Sequence, residues 1–249
     1  MVLTLTHGSP AMANYKGSLA ESKLIKQKAD DFTSLVNKLK SQSAEERRNA
    51  AAEIGYLEDR RAVEPLLNLL KDTDANVRAT AINALGPLND ARAVEPIIAL
   101  LKDDVAFVRS AAARVLGQLG NAKAVEALMV ALKDTNSSVR GSAALGLGGI
   151  KDARALNDLI AGTKDDAPDV RASMAAALGN LRDKGGVDSL VRLLKDENRI
   201  VKTAAALALS DIGDKRALEA LKEALGNEKD EETRSSLKEA IQRLSAVPD

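Results

Sequence analysis

A Val-Arg step recurs every 31 residues, at Val77-Arg78, Val108-Arg109, Val139-Arg140 and Val170-Arg171. A period of this length constrains a chain strongly, because each period must be one supersecondary unit that buries its apolar face against its neighbours. One step forward reaches Val201-Lys202, and one step back from Arg78 reaches Arg47. A seventh copy lies around Arg234, one residue late, which places an insertion near Gly226 to Glu231. Other positions keep the same register. Asp72, Asp103, Asp134, Asp165 and Asp196 stand six residues before the basic position, which is Arg78, Arg109, Arg140, Arg171 and Lys202 in turn. Leu85, Leu116, Leu147, Leu178 and Leu209 stand seven after it, and Gly86, Gly117, Gly148 and Gly179 follow four of them directly.

Each unit reads as two helices. Val63, Leu66, Leu67 and Leu70 have the i, i+3, i+4, i+7 spacing of a helix with one buried face. Val77, Ala81, Ala84, Leu85 and Leu88 form a second such stripe. Pro65 and Pro96 fall in first turns, where a missing N–H has no intrahelical partner to lose. Ser43 and Glu46 have capping-box spacing. Short turns such as Asn89-Asp90-Ala91 join the units, which begin near residues 30, 60, 91, 122, 153, 184 and 215. A two-helix unit this small cannot bury both stripes alone. The pattern therefore predicts an all-α fold, an α-solenoid of about seven two-helix repeats over residues 30–249. Residues 18–29, with Leu19, Leu24 and Ile25, read as an N-terminal capping helix, and residues 1–17 as a flexible tail with Met12 a second candidate start. Residues 1–11 need not be native.

Composition narrows the function. Aromatics are 2% of the chain and Trp is absent, so the core is built from Leu, Ile, Val and Ala. The 36 basic and 36 acidic residues balance, without the basic excess of a nucleic-acid binder. With no Cys, disulfides, thiolate metal sites and Cys nucleophiles are excluded. No apolar stretch approaches the roughly 20 residues of a membrane span, and Met1 to Thr6 lacks the basic leader of a signal peptide. These features lead us to expect a cytoplasmic protein without cofactors, whose partner is neither nucleic acid nor membrane.

The string Arg61-Ala62-Val63-Glu64-Pro65-Leu66-Leu67, then Leu70-Lys71-Asp72, Val77-Arg78 and Ala84-Leu85-Gly86, resembles the HEAT-like repeat of the phycobilisome-lyase family. The resemblance covers about residues 30–247 and is specific for fold rather than function. It implies a right-handed superhelix whose second helices line the concave side. That family includes bilin lyase subunits and phycobilisome-degradation factors. Artificial repeat arrays share a similar consensus, but Ala161-Gly162-Thr163 and Gly185-Gly186 drift from it, as in a natural protein.

The Asp and Arg ladder recurs in every middle copy, which suits a structural role in fixing the stacking. The outward face of the second helix is different. At about 100° per residue its outward positions are one, five, eight and nine after the basic residue. Position five reads Ala52, Asn83, Arg114, Leu145, Ala176 and Leu207, and position one reads Arg48, Ala79, Ser110, Gly141, Ala172 and Thr203. An outward helix face is normally charged. One reading is that crowded neighbouring helices admit only small side chains. The other is a shallow groove for a partner's helix or extended segment, with Leu145 and Leu207 as anchors and Asn83 and Arg114 at its polar end. Arg61, Arg92, Lys123, Arg154 and Arg216 border the turns, offset by Asp59, Asp90, Asp152, Asp183 and Asp214, and read as solvated charges. Catalysis finds little support. One His, in the tail, does not furnish the His-Glu pairs of a di-iron hydroxylase, and no Trp is present to hold an extruded base. The acids do not converge, and Gly146-Leu147-Gly148-Gly149 lies within a second helix rather than a phosphate loop. The expected function is a non-catalytic scaffold that binds a partner protein along the concave face; the alternative is a bilin lyase subunit or phycobilisome-related chaperone.

Overall fold

A computed structural model describes residues 31–247, and the tail and capping helix expected over 1–29 lie outside them. Seven helix pairs follow one another, and no strand occurs among the described residues. The first pair is α1, over residues 31–38, and α2 (Ala44–Tyr56). Then come α3 (Val63–Leu69) with α4 (Ala75–Leu88), α5 (Val94–Ala99) with α6 (Ala106–Leu119), and α7 (Val125–Ala131) with α8 (Ser137–Ile150). The array closes with α9 (Leu156–Gly162) and α10 (Pro168–Leu181), α11 (Val187–Leu193) and α12 (Arg199–Ile212), and α13 (Leu218–Asn227) and α14 (Glu231–Ser245).

The first helices of the middle repeats are short because their ends are specified chemically. Each is led in by a single 3-10 turn, capped by Asp59, Asp90, Asn121, Asp152, Asp183 or Asp214, whose side chain accepts the N–H two residues on. Asp74, Asn136 and Asn198 cap the second helices in the same way. Those helices stop where Asn89, Gly120, Lys151, Arg182 and Gly213 turn into the left-handed region. The capping box expected at Ser43 is half made. Ser43 accepts from the Glu46 N–H, but the Glu46 carboxylate takes the Ser41 hydroxyl, and Ser41 Oγ in turn accepts the Ser43 N–H. The expected insertion is visible in the last repeat, where α13 runs ten residues and Glu228 takes the place of the ladder Asp.

The stripes form one continuous core. Val77, Val108, Val139, Val170 and Val201 are fully buried, as are Leu85, Leu116, Leu147, Leu178 and Leu209. Second helices stack directly on one another from α2 to α14, whereas first helices meet their neighbours chiefly at the lead-in turns. The second helices are therefore the inner layer. One expectation needs correction here: position eight does not face outward. A methyl group at Gly148 would stand 2.8 Å from Ala177 Cα, and one at Gly179 would stand 2.8 Å from Ala208 Cα. These glycines lie between adjacent second helices. The approach is tightest between α6 and α8, where a methyl at Gly117 would stand 2.4 Å from Gly146 Cα and one at Gly149 2.8 Å from Gly117 O.

Candidate functional site: a charged ladder and an inner strip

The ladder joins each repeat to the next. Arg47, Arg78, Arg109, Arg140 and Arg171 each place Nε 2.7 Å from the Asp 25 residues on: Asp72, Asp103, Asp134, Asp165 and Asp196. The second terminal nitrogen donates to the other carboxylate oxygen, giving a bidentate pair. The remaining nitrogen turns back on its own repeat: Arg109 donates to Asp103 O at 2.8 Å and Asp104 O at 3.2 Å. Each Asp also accepts the N–H two residues on, as Asp134 does from Asn136 at 2.8 Å. One guanidinium thus ties its own loop to the next. Both partners are largely shielded, with 15% of Arg109 and 12% of Asp134 side chain exposed. Lys202 makes the last rung to Glu228. Arg234, in the seventh repeat, donates to Leu225 O and Glu228 O.

These contacts set the acid response. Arg47, Arg109 and Arg140 hold the Asp72, Asp134 and Asp165 carboxyls below their usual range. Burial pushes Asp103 and Asp196 upward, but hydrogen bonds from Arg78 and Arg171 and from backbone N–H groups outweigh it, and both also end low. A carboxyl lowered on folding stabilises the fold above its unfolded pKa, about 3.9, and loses that contribution as pH falls through the folded value. Urea midpoints are therefore expected to stay level from about pH 7 to 5 and to fall steeply below about pH 4. A flat profile down to pH 3 would refute this account.

The inner strip carries one residue per repeat at position five. Asn83 and Arg114 are exposed, and Arg114 donates to Asn83 Oδ1 at 2.6 Å. Leu145 is 46% exposed; Ala176 and Leu207 are half-buried. Position one is mostly half-buried, and Ser110 and Ser142 hydroxyls lie 2.7 Å apart across the α6–α8 junction. Beside it runs position nine: Tyr56, Pro87, Gln118, Gly149 and Asn180 are exposed, and Asp211 pairs with Arg243. Tyr56, 87% exposed, closes a hollow of about 250 Å³ with Ala52, Gly55, Thr80, Asn83, Ala84 and Pro87. Sequence reasoning passed over Tyr56, although its register, nine residues after Arg47, marks it. Among the described residues every buried side-chain nitrogen or oxygen has a partner.

The turn charges pair locally. Asp59, Asp90, Asp152 and Asp214 bind the arginine two residues on, and the side-chain and backbone hydrogen bonds from Arg92 and Arg154 bring Asp90 and Asp152 down to about 2. Arg92 and Arg154 also reach back to Glu64 and Glu126, at 2.8 and 2.9 Å. Lys123 reaches Glu95 at 3.9 Å.

The model of HEAT repeats matches residues 32–113, 106–169 and 156–242. The chain belongs to the HEAT repeat family. Its solenoid is shared with solved HEAT-like structures. The Escherichia coli protein YibA is 21% identical, with 98% of this chain and 100% of that one covered and a TM-score of 0.65. A chain of the CpcE–CpcF complex of phycocyanin lyase from Nostoc sp. PCC7120 is 22% identical over 84% of this chain and 93% of that one, at 0.59. Kap95p, solved with RanGDP, is 14% identical over 86% of this chain and 36% of its own, at 0.66. No curated protein matches the chain by sequence. Among the described residues no helix is long and apolar enough to cross a membrane.

Proposed function

We propose that this HEAT solenoid is a non-catalytic scaffold that holds a helix or extended segment of a partner protein along its inner strip. The observation that carries the reading is the row Asn83, Arg114, Leu145, Ala176 and Leu207: one accessible residue per repeat, uncharged and apolar through repeats four to six. A helix face open to solvent is normally charged. The ladder, in this reading, is structural, because its bidentate forks are consumed between repeats. The fold is shared with proteins solved in complexes, CpcE with CpcF and Kap95p with RanGDP.

The test is affinity capture from native lysate with a Leu145→Asp, Leu207→Asp double variant as control. Wild type should retain a stoichiometric partner that the variant loses, while circular dichroism remains helical. Unchanged capture by the variant would remove the inner strip from the function. A second reading, a subunit of a bilin lyase, rests on the family resemblance of the repeat and the likeness to CpcE–CpcF. Against it, Phe32 is buried, which leaves Tyr56 and Phe107 as the exposed aromatics among the described residues. Adding a bilin separates the two: the scaffold leaves its absorbance spectrum unmoved, whereas a lyase subunit shifts it.

A further inference from the structure

The hollow beside Tyr56 has no charge on its walls. It lies between α2 and α4, floored by Ala52, Gly55, Ala84 and Pro87, with the Tyr56 ring standing 87% exposed at its edge. At about 250 Å³ it is smaller than the roughly 300–1,000 Å³ of a small-molecule pocket. It is sized for one large side chain. An exposed tyrosine ring gains most when another ring packs against its face or edge.

Two polar side chains lean toward this hollow from the next repeat. Arg114 on α6 donates to Asn83 Oδ1 at 2.6 Å, and Asn83 lines the hollow. One turn on, Gln118 reaches back over Gly86, where an added methyl group would stand 2.8 Å from its Oε1. Both side chains are exposed. Arg114 differs from the other basic residues on α4 to α12. Arg78, Arg109, Arg140 and Arg171 belong to the ladder, Arg199 pairs with Glu232, and Lys202 pairs with Glu228. The partner of Arg114 is neutral. No carboxylate occurs anywhere along α4, α6 or α8. On α2, Glu45, Glu46 and Glu53 line a different hollow with Lys38, and Arg48 lies beside Asp74. The turn after α2 carries Glu58, Asp59, Arg60 and Arg61, and the turn after α4 carries Asp90 and Arg92, so each turn balances. The guanidinium beside the hollow is an unmatched positive charge.

We infer that this end of the inner strip binds an internal, extended segment of a partner protein, with an aromatic side chain in the hollow against Tyr56 and a glutamate carboxylate on Arg114 and Gln118. The inference deepens the inner-strip reading and rests on it. The spacing sets the pattern. In an extended chain, residues two apart point the same way, and the chain rises about 3.3 Å per residue. The Arg114 guanidinium touches Asn83, which is itself a wall of the hollow, so the two subsites lie within that reach. A carboxylate has two oxygens, one for the guanidinium and one for the Gln118 amide.

The experiment titrates the full nitrogen-15-labelled chain with the peptide Gly-Ser-Phe-Ser-Glu-Ser-Gly-Ser and with its Glu-before-Phe counterpart, followed by NMR. Both peptides are capped at each end, so their one charge is the glutamate. Saturable shifts at Tyr56, Asn83, Arg114 and Gln118 at millimolar concentration are expected with one of the two orders. Gln in place of Glu in that peptide should weaken binding by about tenfold. Arg114→Glu should weaken it as much, and should instead take the peptide with Lys at that position. Tyr56→Ala should weaken it with helical content unchanged. Absence of binding by both peptides overturns the inference, as does equal binding of the Glu and Gln forms. Concentration-dependent self-association that Tyr56→Ala abolishes overturns it too, by giving the hollow to a second copy. Leu145→Asp with Leu207→Asp should leave peptide binding intact. If both peptides fail while capture from lysate still depends on Leu145 and Leu207, the inner strip stands and this inference falls. If a peptide binds while capture ignores those two leucines, the strip reading falls and the hollow remains the site of such a segment.

Discussion

Replacing Arg109 by Ala is expected to destabilise the array by about 2–4 kcal/mol, because it strips a largely shielded Asp134 of both its charge-assisted hydrogen bonds. It also frees the Asp103 and Asp104 carbonyls that Arg109 holds in its own repeat. For a chain of this size the thermal midpoint should fall by roughly 5–15 °C. The shape of the transition should change as well. Repeat arrays are stabilised by nearest-neighbour interfaces, and the weakened interface lies between the third and fourth of seven. The two halves should begin to unfold separately, giving a broader melt by circular dichroism. Arg109→Ala combined with Asp134→Ala should cost less than the sum of the single changes, since the double variant leaves no buried charge unpaired. Arg92→Ala provides the contrast, since Arg92 pairs at the surface, where such pairs contribute little. If Arg109→Ala and Arg92→Ala melt alike, the ladder does not hold the repeats together.

The second large effect lies in the fifth repeat. Position three of the second helix is Ala50, Ala81, Ala112, Ala143 and Ala205 in the first four and the sixth repeats, but Met174 here. Across from it, Leu69, Leu100, Ala131 and Leu193 correspond to Gly162. The two departures answer each other. A methyl group at Gly162 would stand 2.4 Å from Met174 Cε and 2.6 Å from its Sδ, and Met174 is 1% exposed. The methionine fills the space that a leucine on the first helix fills in three of the other repeats. Met174→Ala should therefore cost about 2–5 kcal/mol through the cavity it leaves. Gly162→Leu alone should cost about 1–3 kcal/mol by overpacking. Together they restore the arrangement of the neighbouring repeats, and the double variant should lie near wild type in urea unfolding. Additive losses would mean that the two substitutions do not share one space.

The fold was legible because thirty-one-residue spacing repeats the same buried Val and Leu in unit after unit, and a buried position tolerates few alternatives. The ladder was legible as a register, though not as a connection. Nothing in the spacing of Arg78 and Asp72 says that Arg78 reaches forward to Asp103 rather than back to its own Asp. The glycines after Leu85, Leu116, Leu147 and Leu178 were misplaced because a helical wheel treats a helix as isolated. Position eight leaves the core stripe, yet in the stack it meets the next second helix. The drift at Ala161-Gly162-Thr163 was visible as irregularity, but its partner Met174 lies on another helix and shares no periodic signal with it.

The ladder has a direction, and direction matters to a chain that is made from one end. Each Arg waits for an Asp that is synthesised 25 residues later, while its third nitrogen has its own loop to hold from the start. A nascent array emerging repeat by repeat therefore always carries one guanidinium fork open at its growing edge, closed when the following unit folds onto it. Loss of material from the two ends is unequal for the same reason. Removing the last repeats exposes an Arg whose acceptor is gone, whereas removing the first leaves an Asp that still caps its own loop.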